Sequence, residues 1–139
     1  MKDQVLDQGI KLAILIDDEK IDQMIYRRVM ARSGLVETTL SFSRAQDALD
    51  FIKRRDRPEI DVVFLDINMP AMNGFEFLDA ATAEFGEDFA KLVIVMLTTS
   101  INPADHARPV SYPAVRKFIY KPLTKDLVQE VVEMVHAGE

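Results

Sequence analysis

Asp66 closes the apolar run Ile60-Asp61-Val62-Val63-Phe64-Leu65 and opens the turn-forming stretch Ile67-Asn68-Met69-Pro70-Ala71-Met72-Asn73-Gly74. A short β-branched run that stops at an acid and then turns puts a carboxylate on the carboxyl edge of a buried strand. In open α/β sheets that edge is where ligands bind. Two more acids, Asp17 and Asp18, follow the run Leu12-Ala13-Ile14-Leu15-Ile16. A hydroxyl, Thr98, follows Leu92-Val93-Ile94-Val95-Met96-Leu97, and a lysine, Lys121, follows Val115-Arg116-Lys117-Phe118-Ile119-Tyr120. Four strand ends thus offer three carboxylates, one hydroxyl and one ammonium, a set suited to a divalent cation and a phosphoryl group.

Phosphoryl transfer asks for charge neutralisation more than for covalent machinery. Asp66 can act as acceptor, since a carboxylate is a competent nucleophile toward phosphorus. Asp17 and Asp18 would hold Mg2+, which takes oxygen ligands and keeps several exchangeable waters. Lys121 would add a second positive charge, and Thr98 a hydrogen bond to a phosphoryl oxygen. Three clustered acids repel one another and raise at least one pKa, so the site should want a cation first. Alone, Asp17 and Asp18 would as readily cap the helix that follows; Asp66 and Lys121 in register make cation binding the stronger reading. Thr98 and Thr99 are adjacent, and alternation does not choose between them; Thr98 directly follows the apolar run.

The elements that must position these groups alternate along the chain. Strands are expected near 11–17, 37–42, 60–66, 92–98 and 115–119, and helices near 20–33, 44–55, 74–84, 102–109 and 124–137. Five βα units imply a parallel sheet covered on both faces, with right-handed crossovers. Ile21, Ile25 and Val29, with Met24 beside them, form the apolar stripe of the first helix, which Gly34 stops. Ser43 with Gln46 predicts a capping box for the second helix. Asn102-Pro103 would open the fourth, and Pro109 and Pro113 cut it short. Thr124 caps the last, whose stripe is Leu127, Val128, Val131, Val132 and Val135. Residues 1–10 are expected to be a polar lead-in and 11–137 the folded domain.

The pieces Leu15-Ile16-Asp17-Asp18-Glu19, Leu65-Asp66-Ile67-Asn68-Met69-Pro70 with Met72-Asn73-Gly74, Leu97-Thr98-Thr99-Ser100, and Phe118-Ile119-Tyr120-Lys121-Pro122-Leu123 together resemble a response-regulator receiver domain over essentially the whole chain. The resemblance implies a flavodoxin-like, doubly wound α/β fold: a five-stranded parallel sheet of order 2-1-3-4-5 with five helices. It implies that Asp66 is the phosphoacceptor, Asp17 and Asp18 the acidic pair around Mg2+, and Asn68 a metal ligand through its backbone carbonyl. Lys121 matches the family's lysine, Thr98 its switch hydroxyl and Phe118 its switch aromatic, here without a tyrosine hydroxyl. A cis Lys121–Pro122 peptide is implied too, and Asn68 and Ser100 match positions that tune phosphoryl lifetime. The implied partners are a histidine kinase or a histidine phosphotransfer protein, with a downstream protein partner still to be identified. The protein would be a phosphoacceptor switch that catalyses its own modification, rather than an enzyme acting on other substrates.

Composition limits the alternatives. The chain has 139 residues, a net charge of -6 and no cysteine, which argues against general nucleic-acid binding and excludes disulfides and thiolate metal sites. The one basic run, Lys53-Arg54-Arg55-Asp56-Arg57, is expected to be a solvated helix end. No stretch nears the roughly 20 apolar residues of a membrane span, and cytoplasmic residence is expected. Only Gly138 and Glu139 follow the last helix, so no output domain is expected and the signal would leave through a partner. Met24, Arg28, Tyr112, Arg116 and Tyr120 are candidate partner-facing residues; His106 and His136 are ordinary surface or boundary histidines. A haloacid-dehalogenase-type phosphatase wants an acid where Asn68 stands. A flavin or nucleotide module wants a glycine-rich loop that these scattered glycines cannot form. A receiver kept only for docking would not need the complete acid set.

Overall fold

A computed structural model describes residues 9–86, 89, 92–99 and 112–137. Five strands, β1 (Ile10–Ile16), β2 (Val36–Phe42), β3 (Val62–Asp66), β4 (Ile94–Thr98) and β5 (Val115–Tyr120), pair in parallel in the order β2-β1-β3-β4-β5. Four helices are described: α1 (Lys20–Ser33), α2 (Ala45–Lys53), α3 (Gly74–Phe85) and α4 (Lys125–Ala137). The helix expected near 102–109, with Asn102, Pro103, His106 and Pro109, lies outside the described residues, as do Ser100, Gly138, Glu139 and residues 1–8 of the lead-in.

Both faces of the central strands are buried, as a parallel sheet requires. On one face Ile14, Ile16, Val63, Leu65, Ile94 and Met96 pack with Ala48, Leu49 and Ile52 of α2 and Phe77 and Leu78 of α3. On the other, Ala13, Leu15, Phe64, Val95, Leu97 and Ile119 pack with Tyr26 and Met30 of α1 and Val128, Val131 and Val132 of α4. Alternation along each strand sorts residues between these layers. The order reverses at β1, so β1 and β3 meet at the point where doubly wound sheets open a crevice at their carboxyl edge.

Several local expectations hold. Gly34 ends α1 in the left-handed conformation, φ 73. Thr124 Oγ1 accepts from Leu127 N at 3.3 Å, and the α4 stripe is buried or half-buried against the sheet. Arg57 of the basic run donates to Ile52 O at the end of α2 (2.9 Å), so this cation does serve a helix terminus. β3 starts two residues late because Asp61 turns its carboxylate onto β1, accepting from Lys11 N and Leu12 N.

Two expectations fail. The Ser43–Gln46 capping box does not form: Arg44 is the N-cap of α2 with no side-chain cap bond, Ser43 Oγ accepts from Gln23 Nε2, and Gln46 reaches Asp50. The hydroxyl is already taken by α1. The α1 stripe is also mostly turned outward, with only Val29 of it packed against the core. Ile21, Met24 and Ile25 are 66%, 49% and 43% exposed, while Tyr26 and Met30 are the buried pair. The helix is turned so that its polar residues Asp22 and Gln23 meet the strand ends, and the apolar side chains rotate outward with it.

Candidate phosphoryl and metal site

The carboxyl edge of the sheet gathers the acids. One carboxylate oxygen each from Asp17, Asp18 and Asp66 lies within 4.8 Å of the others. Asp17 follows the last residue of β1 and is fully buried; Asp66 ends β3 and is 3% exposed. Asp17 Oδ1 accepts from Glu19 N at 2.9 Å, which turns the chain into α1. Gln23 Nε2 donates to the Asp17 carbonyl and to Ser43 Oγ, tying the ends of β1 and β2 to α1. Asp66 Oδ1 accepts from Asn68 N at 3.3 Å.

Lys121 reaches this cluster from the end of β5, where its backbone N donates to Thr98 O at 2.8 Å. Its Nζ donates to Asp17 Oδ2 at 3.0 Å and to Asp22 Oδ2 at 2.9 Å, and stands 3.6 Å from Asp66 Oδ1. The Lys121–Pro122 peptide is cis. Thr98 is fully buried at the end of β4 and Thr99 is exposed. By strand alternation Thr98 falls on the Met96 face, where Phe118 of β5 pairs with Met96 and is half-buried.

A glycine allows the loop after β3 to close. A Cβ on Gly74 would lie 2.8 Å from Asp66 O and 3.0 Å from Ile67 Cα, so only glycine lets α3 start against the end of β3. Asn73 and Glu76 form the capping box at that point, each side chain bonding the other's backbone N–H at 2.9 Å. The pattern Asn73-x-x-Glu76 was present in the sequence as a signal, and so was Gly74. Asp22 had no such signal, because its role depends on how α1 is rotated.

Electrostatics follow from burial. Desolvation, only partly offset by Lys121 and reinforced by Asp17, pushes the Asp66 carboxyl from 3.8 up to about 6. Desolvation likewise raises Asp17, against the Glu19 N–H and Lys121. Burial disfavours the Lys121 charge, but the hydrogen bonds to Asp22 and Asp17 outweigh it and hold the ammonium above its usual value. Asp17, Asp18, Asp22 and Asp66 against one lysine leave three negative charges uncompensated when all ionise. Asp18 Oδ1 is buried with no hydrogen-bond partner among the described residues. An orphaned carboxylate oxygen beside two other acids is a donor set that fits a hard divalent cation.

Of the residues singled out in the sequence, Asp17, Asp18, Asp66 and Lys121 are thus brought together. Asn68 contributes a backbone N–H to Asp66, Thr98 is buried at the end of β4, and Phe118 is half-buried against the core layer that holds Met96. Among the candidate partner-facing residues, Met24, Arg28, Arg116 and Tyr120 are exposed, whereas the Tyr112 hydroxyl donates to Asp79 Oδ1 at 2.6 Å.

Known proteins resemble this chain in sequence and in fold. A chemotaxis protein CheY homolog of Campylobacter jejuni is 26% identical over 122 residues, covering 88% of this chain and 89% of that protein. An uncharacterized response regulatory protein of Vibrio cholerae is 36% identical over 72 residues, 52% of this chain, and the chain spans 29% of its length. A two component response regulator from Cytophaga hutchinsonii superposes with a TM-score of 0.82 at 25% identity, covering 93% of this chain and 98% of that one. The Mn(2+)-bound form of response regulator Rcp1 superposes at 0.71 and 25% identity, covering 89% and 91%. The family model described as the response regulator receiver domain matches residues 13–133. That span takes in every strand end that supplies an acid or the lysine, and by it the chain belongs to the response regulator receiver domain family.

Proposed function

We propose that this receiver takes a phosphoryl group onto Asp66 from a phosphohistidine, in a reaction that needs Mg2+, and signals by a changed protein-binding face. The observation that carries the reading is the meeting of Asp17, Asp18 and Asp66 within 4.8 Å, with Lys121 Nζ 3.6 Å from Asp66. An Asp66 oxygen attacks phosphorus, the phosphorus–nitrogen bond to the donor imidazole breaks, and the departing imidazole takes up a proton. The product is an acyl phosphate on Asp66.

Asp17, Asp18, Asp66 and the Asn68 backbone carbonyl would hold the cation, which when bound neutralises charge on the phosphoryl oxygens. Lys121 moves from its carboxylate partners to a phosphoryl oxygen, and Thr98 donates to another. Phe118, on the face that Thr98 leaves, fills the space vacated. Such a switch is a population shift, driven only by how differently the phosphoryl group interacts with the two states. The donor is a histidine kinase or a histidine phosphotransfer protein, which places the protein in the cytoplasm with its kinase. The Mn(2+)-bound form of response regulator Rcp1 supports a divalent-cation site.

Intact-mass analysis after incubation with acetyl phosphate tests the proposal, with and without Mg2+, on wild type and Asp66→Asn. One added phosphoryl group that requires Mg2+ and is absent from Asp66→Asn is the expected result. No addition with acetyl phosphate or a second small donor would turn the reading toward a receiver used only for docking.

A further inference from the structure

Lys121 is held by two carboxylates, and one of them stands outside the acid cluster. Asp22, in the first turn of α1, accepts from Nζ at 2.9 Å, a bond as short as the 3.0 Å contact to Asp17. Asp66 Oδ1, at 3.6 Å, is beyond hydrogen-bond reach. One turn along α1 from Asp22, the Tyr26 ring centroid lies 5.9 Å from the same nitrogen. α1 therefore presents an anion and an aromatic face, four residues apart, to the ammonium. We propose that Asp22 is a positioning residue that holds Lys121 off Asp66, keeping the acceptor carboxylate open to a cation and to phosphorus. The inference rests on the reading of Asp66 as phosphoryl acceptor.

A lysine ammonium is a compact charge on a flexible stem, so its resting place is set by the balance of its partners. The Lys121 side chain is only 10% exposed, so water has limited access to its ammonium when an anion partner is lost. Without the Asp22 charge the nearest further carboxylate is Asp66. A direct hydrogen bond there would engage the lone pairs that a metal ion or a phosphorus atom needs. An acid in the first turn of α1 also favours the helix dipole, but that role alone would alter stability without coupling to Lys121.

The test is calorimetric titration of Mg2+ into the full chain, Asp22→Asn, Asp22→Glu, Lys121→Met and the double variant. Asp22→Asn should weaken Mg2+ binding about tenfold, the low end of the scale set by one charge-assisted hydrogen bond, and Asp22→Glu should restore it to within about twofold. In the Lys121→Met background the Asp22→Asn change should shrink to less than about twofold, because no lysine remains to be held. Acetyl phosphate labelling should be slower in Asp22→Asn at limiting Mg2+ and equal to wild type at saturation. An unchanged Mg2+ affinity, an equal loss in both backgrounds, or a labelling deficit that persists at saturation would overturn the proposal. A wild type that binds Mg2+ but takes no phosphoryl group would remove Asp66 as acceptor and leave the binding cycle to decide on Asp22. A wild type that binds no Mg2+ overturns both.

Discussion

Asp66→Asn should make the cation-free protein more stable at neutral and alkaline pH, although most changes at buried positions destabilise. Asp66 is 3% exposed, and burial, with Asp17 adding to it and Lys121 only partly opposing it, lifts its carboxyl from 3.8 to about 6. The unfolded chain releases this proton near the lower value and the folded chain near the higher one. Between them the folded state binds more protons, so stability falls as pH rises, and above the folded value the penalty is complete. A gap of about two pH units at about 1.4 kcal/mol each makes that penalty about 3 kcal/mol. Asparagine carries no charge and keeps an oxygen for the Asn68 N–H. Urea unfolding in a chelator should therefore show Asp66→Asn shifted up by about 1.5 M at about pH 8, for a slope of about 2 kcal/mol/M. Near pH 4 the two midpoints should converge, and Mg2+ should narrow the gap at about pH 8 by stabilising the wild type through mass action. A variant less stable than wild type at about pH 8 without Mg2+, or a gap that ignores pH, would refute the claim that burial outweighs the pairing with Lys121.

Gly74→Ala forces a Cβ to within 2.8 Å of Asp66 O, and the backbone shift should cost about 1–3 kcal/mol in urea unfolding and weaken Mg2+ binding measured by calorimetry. Asn73→Ala removes the capping box of α3 and should lower stability by about 1 kcal/mol in thermal unfolding; no loss would show that the box contributes nothing net.

The strand ends were legible because their signals are local. A β-branched run that stops at an acid, a hydroxyl or a lysine marks both the strand and the group it carries. The four such runs proved to be strands and, with the strand expected near 37–42, pair in the expected order. Which of Thr98 and Thr99 is buried was not legible, since burial of Thr98 and exposure of Thr99 depend on β4 pairing with β5. The rotation of α1 was not legible. In the sequence Ile21, Ile25 and Val29 form as good an apolar stripe as Tyr26, Val29 and Met30, the track that meets the core. What decides between them is the meeting of Asp22 with Lys121, 99 residues away. The Ser43 capping box failed for a similar reason: its hydroxyl is claimed by Gln23 of another element. Local patterns thus specified elements, and contacts between polar groups on different elements specified their orientation.

The bond between Lys121 and Asp17 closes a span of 104 residues, so the ammonium cannot reach the acids until β5 has docked beside β4 and completed the sheet. A chain still being synthesised, with β1 to β4 already paired, would hold the acids without their counter-charge. Closing so long a loop is entropically slow, which makes the finished site one of the later things the chain builds. A ligand that needs both the acids and the lysine would therefore distinguish completed molecules from unfinished ones.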